Sequence, residues 1–228
     1  MTENKEKYKK DNTIRQSIKT DVQKGYSMGN NDPFQAEDFK KCAAFHGHIC
    51  PGLSIGYRSS LMAMEWLKEN RSEDEEIVAI IETNACGADA VQVLTGCTYG
   101  KGNLLFKDHG KQVLTLLSRK TGNGVRVALK AGALELNEEH RQLMDKIRKG
   151  DATDVEKARF QELHLKRSRD IMEGTEEALF DVREIHEDLP PKAQIEPSKP
   201  CDRCGEPTMA SKLCAKDGMQ LCGGCLEG

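Results

Sequence analysis

The feature that most constrains the fold is a pair of Cys-x-x-Cys motifs near the C-terminus. The first motif is Cys201 and Cys204, and after an interval of 17 residues the second is Cys222 and Cys225. This number, pairing and separation of cysteines is typical of a four-cysteine zinc site. So short a segment buries too little apolar surface to fold alone. The spacing therefore predicts that a structural zinc ion holds together a finger over 201–228.

Local features around these cysteines predict the rest of the finger. Gly205 follows Cys204 and lets the backbone turn back under the metal. The segments Met209–Leu213 and Met219–Leu221 are predicted to form a hairpin between the two motifs. Cys214 lies in that hairpin, and its spacing does not fit the ligand pattern.

The charge and aromatic content of the tail indicate what the finger binds. From Pro191 to Gly228 there are five Lys or Arg and five Asp or Glu residues, and no aromatic residue for base stacking. Contact with a protein, or docking on the chain's own core, is favoured over nucleic acid.

Composition excludes several broad classes of protein. The net charge is −3, so bulk attraction to nucleic acid or to an anionic membrane is not expected. No apolar run approaches the ~20 residues of a membrane span, and the N-terminal MTENKEKYKK lacks the apolar stretch of a signal peptide. We expect a cytoplasmic chain, in which nine cysteines indicate metal or thiol chemistry rather than disulfides.

The apolar periodicity predicts an α+β core with a mixed or antiparallel sheet packed with helices. The expected helices span 34–45, 51–70, a segment from about 87, and 137–180 with a break at 149–151; the expected strands span 75–83, 104–106, 113–117, 125–129 and 179–186. The predicted organisation is a polar arm at 1–32, a core at 33–189, a proline-containing linker at 190–200 and the finger. Within the arm, Ile14, Ile18 and Val22 permit a short amphipathic helix, although a solvated arm is favoured.

The most unusual stretch of the core is HGHICPG, in which His46, His48 and Cys50 alternate with other residues. Side chains two apart in an extended segment face the same way. Cys50 precedes Pro51 and is predicted to cap the following helix, where the helix dipole favours a thiolate. Cys86 is predicted to occupy the same position before a second helix. We therefore predict a second divalent metal bound by His48, Cys50 and Cys86.

Each of these residues also has a simpler interpretation. Cysteine is commonly buried, which applies most directly to Cys42, and His46 could simply be hydrogen-bonded. Asp89 could be a ligand, a partner of a ligand or a base. The glycine-rich loop with Cys97 lacks the spacing of a phosphate-binding loop. The charged segment 137–177 is interpreted as a solvated helical face.

Three long stretches carry a family resemblance. CAAFHGHICPGLSIGYRSS, IIETNACGADAVQVLTGCTYGKGNLLFKDHG and GVRVAL resemble the FmdE family, which is named for a subunit of formylmethanofuran dehydrogenase. The tail CDRCGE…DGMQLCGGC resembles the zinc finger appended to many members. The likeness covers about 38–135 and 180–228, and does not cover the arm.

The resemblance implies an α+β core, an auxiliary finger, a dimer and a metal-binding pocket in the core. The family name comes from genes beside a molybdenum or tungsten enzyme of one-carbon metabolism, related to methanogenesis. No catalytic role follows from that name. The matches place His48, Cys50, Cys86 and Cys97 in the family's cysteine- and histidine-bearing segments.

Three functions remain open from the sequence. The first is an accessory metalloprotein of a molybdenum- or tungsten-dependent oxidoreductase, with a protein partner. The second is a free-standing zinc enzyme in which Cys50, Cys86 and His48 bind the ion and Asp89 is the base. The third is a regulatory module that binds nucleic acid through the finger, which the neutral charge of the tail opposes.

Overall fold

The computed structural model describes residues 32–193 and 195–227. Within them, a five-stranded mixed sheet and its helices form a core, and a four-cysteine cluster lies in a C-terminal finger. The predicted α+β class is therefore confirmed. The helix considered for Ile14, Ile18 and Val22 lies outside the described residues. None of the described helices has the length and hydropathy needed to span a membrane.

The elements of the core follow the predicted order closely. A 3₁₀ turn at Pro33–Gln35 begins at Asp32, whose carboxylate accepts a hydrogen bond from the Phe34 N–H at 3.2 Å. The helices are α1 (Glu37–His46), α2 (Pro51–Leu67), α3 (Gly87–Thr95), α4 (Glu138–Lys149), α5 (Asp154–Glu173) and α6 (Glu176–Leu179). The strands are β1 (Ile77–Ile81), β2 (Leu104–Phe106), β3 (Val113–Ser118), β4 (Gly124–Leu129) and β5 (Phe180–Ile185).

The sheet has the strand order β2-β1-β3-β4-β5. Strand β1 pairs with β2 in parallel, because α3 carries the chain back across the sheet, and the other pairs are antiparallel. All five residues of β1 are buried. Ile77, Ala79 and Ile81 pack in the cluster beneath the helices, whereas Val78 and Ile80 pack on the opposite face. Burial of both faces explains why β1 is a continuous apolar run.

A close approach of α2 and α3 at two glycines positions the site. A Cβ built on Gly56 would lie 2.3 Å from the carbonyl oxygen of Gly87, so only glycine fits at this crossing. Both helices begin near the crossing, which brings the residues before them, Cys50 and Cys86, close together.

Aromatic packing fixes α1 against α2 on the same side. The rings of Phe34 and Phe39 stack at 5.4 Å between centroids, and Phe39 meets Tyr57 edge-on at 5.1 Å. These rings belong to one buried cluster with Cys50 and Leu53. The C-terminal end of α1 is thereby held beside the N-terminal end of α2.

Candidate metal centres

Three donor side chains meet in the short connection between α1 and α2. Ligand atoms of His46, His48 and Cys50 all lie within 4.8 Å of one another. His46 is the last residue of α1, and Gly47 ends that helix in the left-handed conformation with φ of 91°. Cys50 then caps α2, as predicted, with its sulfur accepting from the Leu53 N–H at 3.4 Å. The tight turn folds the three donors onto one small volume.

The spacing of two donors suits a shared ion. The Cys50 Sγ and the His46 Nε2 are 3.7 Å apart. A tetrahedral zinc ion with bonds of about 2.3 Å to sulfur and about 2.1 Å to nitrogen separates such a pair by about 3.6 Å. This pair therefore needs almost no rearrangement to bind one ion. His46 is not among the ligands predicted from the sequence, and the structure makes it central to the cluster.

Asp89 determines which nitrogen of His46 faces the cluster. The His46 Nδ1 lies 2.7 Å from the Asp89 Oδ2, so the ring donates its Nδ1 proton to the carboxylate. The Nε2 lone pair then points toward Cys50. A carboxylate–histidine pair of this kind holds a metal ligand in one tautomer and orientation. The structure thus shows Asp89 as a hydrogen-bond partner of His46. Asp89 lies 43 residues from His46 in the chain, so no sequence pattern indicates that the two side chains are partners.

Burial changes the expected ionisation of Cys50. Desolvation raises the pKa of the Cys50 thiol to about 11, and the Leu53 N–H lowers it by less. The expectation that the helix N-terminus alone favours the thiolate is therefore wrong for the metal-free protein. The thiol is neutral near pH 7 until a cation provides the compensating charge.

Cys86 lies beside this cluster without belonging to it. Its thiol interacts with that of Cys50 and contributes to the raised pKa of Cys50. The side chain packs against the first turn of α2, with its Sγ 3.7 Å from a Cβ built on Gly52. Cys86 precedes α3 in helical backbone conformation and makes no capping hydrogen bond. The predicted position of Cys86 directly before a second helix is confirmed, but its sulfur, unlike that of Cys50, does not cap the N–H groups of its helix.

The other core cysteines lie outside the cluster. Cys42 is fully buried in the apolar core, as predicted. Cys97 is also fully buried, its S–H donates to the Ile77 carbonyl at 3.4 Å, and burial raises the pKa of its thiol. Lys101 donates to the carbonyl of Ser72 at 3.2 Å. The Cys97 and Lys101 side chains of this glycine-rich loop therefore make hydrogen bonds within the fold.

Sequence reasoning misses a pair of histidines between α4 and α5. The Nε2 of His140 lies 3.1 Å from the Nδ1 of His164, and Phe160 stacks on His164 at 4.6 Å between centroids. His140 is 3% exposed, which corrects the interpretation of 137–177 as a solvated face at this position. Spacing gives no signal of the pair, because 24 residues separate the histidines.

The second donor cluster comprises the four cysteines of the finger. The ligand atoms of Cys201, Cys204, Cys222 and Cys225 lie within 4.8 Å of one another. The sulfurs of Cys204 and Cys222 are 3.9 Å apart, close to the edge of about 3.8 Å in a tetrahedral zinc–sulfur site. Backbone N–H groups, of Cys204 first, lower the pKa of Cys201 to about 6. These bonds prepare one thiolate for a metal ion.

Short strands and a final helix surround the finger cluster. The hairpin joins Cys214–Lys216 to Met219–Leu221, so the prediction of Met209–Leu213 as its first strand is wrong. Cys214 is exposed and outside the cluster. Gly205 has φ of 76°, as its role in the turn requires. The finger elements are β6 (Ser198–Pro200), β7 (Pro207–Met209), β8 (Cys214–Lys216), β9 (Met219–Leu221) and α7 (Gly223–Glu227).

Comparison with known proteins places this architecture in a family. The family model described as "FmdE, Molybdenum formylmethanofuran dehydrogenase operon" matches residues 45–181, which is more than half of the chain. The chain belongs to the FmdE family. The match includes the whole core cluster of this FmdE protein and ends before the finger.

Two relatives extend the comparison beyond the matched core. A crystal structure of a tungsten formylmethanofuran dehydrogenase FmdE-like protein from Syntrophus aciditrophicus is similar, with a TM-score of 0.54 and 28% identity over 82% of this chain and 89% of that chain. A "Probable S-adenosyl-L-methionine-binding protein" from Archaeoglobus fulgidus is 38% identical over 186 residues, 78% of this chain and 50% of the relative. The chain thus spans half the length of that curated relative.

Proposed function

We propose that this FmdE protein is a metalloprotein with two sites. Zinc holds the finger, and His46, His48 and Cys50 bind a second divalent ion in the core. The separation of 3.7 Å between the Cys50 Sγ and the His46 Nε2 carries the proposal for the core. Imidazole and thiolate together favour zinc or another borderline metal. Cys86, adjacent to Cys50, is the candidate for a fourth ligand.

The role we propose is an accessory one in a molybdenum- or tungsten-dependent one-carbon system of the formylmethanofuran dehydrogenase type. Family membership and the similarity to the tungsten FmdE-like protein from Syntrophus aciditrophicus support it. The finger would contact a protein partner, because its balanced charge favours protein over nucleic acid. The resemblance also supports a cytoplasmic homodimer. Sedimentation at micromolar concentration tests that state, and a species of only 25.4 kDa would count against it.

A free-standing hydrolytic enzyme is the second candidate. Three protein ligands would leave one position of the ion open for water, which is the arrangement of catalytic zinc. However, Asp89 bonds His46 at 2.7 Å and is not free to act as the base. The geometry therefore favours binding over hydrolysis through this carboxylate.

The name of the Archaeoglobus fulgidus relative suggests a third ligand, S-adenosylmethionine. The cavity beside the core site, between Gly56 of α2 and Ile81 of β1, has a volume of about 20 Å³. That volume holds about one water molecule. The donor set of the core cluster, by contrast, suits an ion.

Metal content per full-length chain tests the proposed function. We expect two ions in the wild type and one in Cys50→Ala, because that substitution removes a core donor. Cys204→Ser should also retain one ion, this time in the core. Elemental analysis after gel filtration measures the metal content of each protein. Calorimetry with S-adenosylmethionine tests whether that nucleoside binds.

Two matched variants control for lost thiols. Cys42→Ala removes another buried core cysteine, and Cys214→Ser removes a finger cysteine outside the cluster. Both should retain two ions. A Cys50→Ala protein that still holds two ions would refute the core assignment. Tight binding of S-adenosylmethionine to a wild type with only one ion would favour the nucleoside instead.

A further inference from the structure

Strand β5 forms an open edge of the core sheet. Among the described strands it pairs only with β4, at the end of the strand order. It runs for six residues without a proline, and Val182, Arg183 and Glu184 are exposed. The opposite edge, β2, has only three residues. Unpaired N–H and C=O groups along a long edge are a template for another strand. Strand β5 is therefore the edge on which a further strand can pair.

Alternate residues of β5 direct their backbone groups away from the sheet. The Lys130 N–H donates to the Leu179 carbonyl at 2.9 Å, in the register of β4 with β5. Hydrogen-bonded positions recur at every second residue of an antiparallel pair. The odd-numbered residues of β5 therefore bond β4, and the even-numbered residues face the open edge. No turn or loop in the described part of the chain accepts from the N–H groups of Val182 and Glu184.

The charges of β5 favour one register with a second copy of the same strand. A two-fold axis through Val182 places Asp181 of each copy opposite Arg183 of the other. An axis through Asp181, Arg183 or Glu184 would instead place like charges opposite each other, which is destabilising. An axis through Phe180 would run β5 into α6 of the second copy. Charged residues that would repel other strands thus attract a second copy in the register centred on Val182.

The surroundings of this axis also suit a second copy. Within one chain the Arg183 Nε donates to the Asp181 carboxylate at 2.7 Å, so both side chains already lie along the edge. Arg183 is paired across the strands with Arg126, and a carboxylate from the second copy would offset these like charges. On the helix-covered face, Val182 is 37% exposed beside the buried Val127. Val182 of a second copy would cover that apolar surface.

We propose that this FmdE protein dimerises by antiparallel pairing of two β5 strands about an axis through Val182. The two core sheets become one continuous sheet. Val182 of each copy donates its N–H to the Val182 carbonyl of the other, and Asp181 pairs with Arg183 across the axis on the outer face. The inference rests on the homodimer in the proposed function, to which it assigns a surface.

Charge reversal in the full-length protein tests this register. Asp181→Arg places an arginine opposite Arg183 of the second copy, and Arg183→Asp places two aspartates opposite each other. We expect either change to raise the dimer Kd by about tenfold. The double variant with both changes restores opposite charges and should recover the wild-type Kd. Sedimentation over a range of concentrations measures each Kd, and recovery in the double variant excludes a general effect of misfolding.

A proline at the axis tests the backbone pairing. Val182→Pro removes the N–H that faces the open edge, where an edge strand tolerates proline. We expect a monomer with the circular dichroism of the wild type. Phe106→Pro is the matched control on β2, because the Lys107 N–H donates to the Ile81 carbonyl at 2.9 Å and the Phe106 N–H faces outward. That control should remain a dimer.

The outcomes separate this surface from the rest of the proposed function. An unchanged dimer Kd in Val182→Pro and in both single charge reversals would overturn the surface and leave the homodimer standing. A monomeric wild type would overturn the surface and the homodimer together. Metal content measured on the same samples tests the two metal sites independently of either result.

Discussion

At the residue scale, the core cluster depends on side chains whose protonation is set by their neighbours. Desolvation raises the pKa of Cys50 to about 11, so a proton must leave before the sulfur binds a metal ion. His46 is prepared differently, because Asp89 holds its Nδ1 proton and turns its Nε2 toward Cys50. Metal binding should therefore weaken as pH falls, since acid returns the proton to Cys50.

Asp89→Asn tests the contribution of this carboxylate. The amide retains the shape but loses the charge that holds the His46 tautomer. We expect affinity for the core ion to fall about 10–100-fold, while the finger ion stays in place. Competition with a chromophoric chelator measures the affinity. Asp38→Asn, at an exposed ion pair with Lys41, should bind like the wild type, and equal affinities in the two variants would exclude the role of Asp89.

At the element scale, the site depends on how closely α2 and α3 cross. Gly56 and Gly87 let the helices touch, and Cys50 and Cys86 are neighbours as a result. The connection between α1 and α2 adds a second constraint, because Gly47 must adopt a positive φ. The donors therefore sit on helix ends held by packing rather than on a long loop.

Gly56→Ala tests the crossing. The new methyl would meet the Gly87 backbone at 2.3 Å, so the helices must separate. We expect the free energy of unfolding to fall by about 1–3 kcal/mol and the core ion to bind more weakly. Urea unfolding measures the first effect. Gly100→Ala meets nothing within 4 Å and should change stability by less than about 0.5 kcal/mol. Equal stability of the two variants would show that the crossing tolerates a methyl group.

At the scale of the whole molecule, part of the predicted linker is docked on the core. Directly before the linker, Leu189 packs on the outer face of the sheet. The Ala193 N–H donates to both carboxylate oxygens of Glu75 at 3.2 Å, and Arg119 donates to the Pro190 carbonyl at 2.7 Å. Glu75 and Arg119 are themselves 3.6 Å apart and mostly buried. The attachment of the finger therefore begins at a defined place on the core.

Arg119→Ala should release this docked segment. We expect trypsin to cut after Lys192 about tenfold faster, equivalent to ~1.4 kcal/mol of local stability. Mass spectrometry of timed digests identifies the cut. Arg183→Ala removes an exposed arginine from β5 and should leave the rate unchanged. Equal rates in all three proteins would mean that Arg119 does not hold the segment.

Features that depend on near neighbours in the chain follow from the sequence itself. The cap at Asp32 and the break at Gly150 are predictable from residue type. An Asp before a Pro caps the start of a helical turn, and a Gly readily adopts the left-handed conformation that ends a helix. The cysteine spacing of the finger and the apolar run of β1 are likewise visible in short stretches of sequence. The family resemblance follows from the same continuous motifs.

Tertiary structure alone decides the partners that lie far apart in the chain. His46 meets Asp89 across 43 residues, and His140 meets His164 across 24, at distances that no periodicity encodes. The protonation of Cys50 is also beyond local inference. A helix N-terminus favours the thiolate, but the depth of burial outweighs it, and burial depends on how every neighbouring element packs.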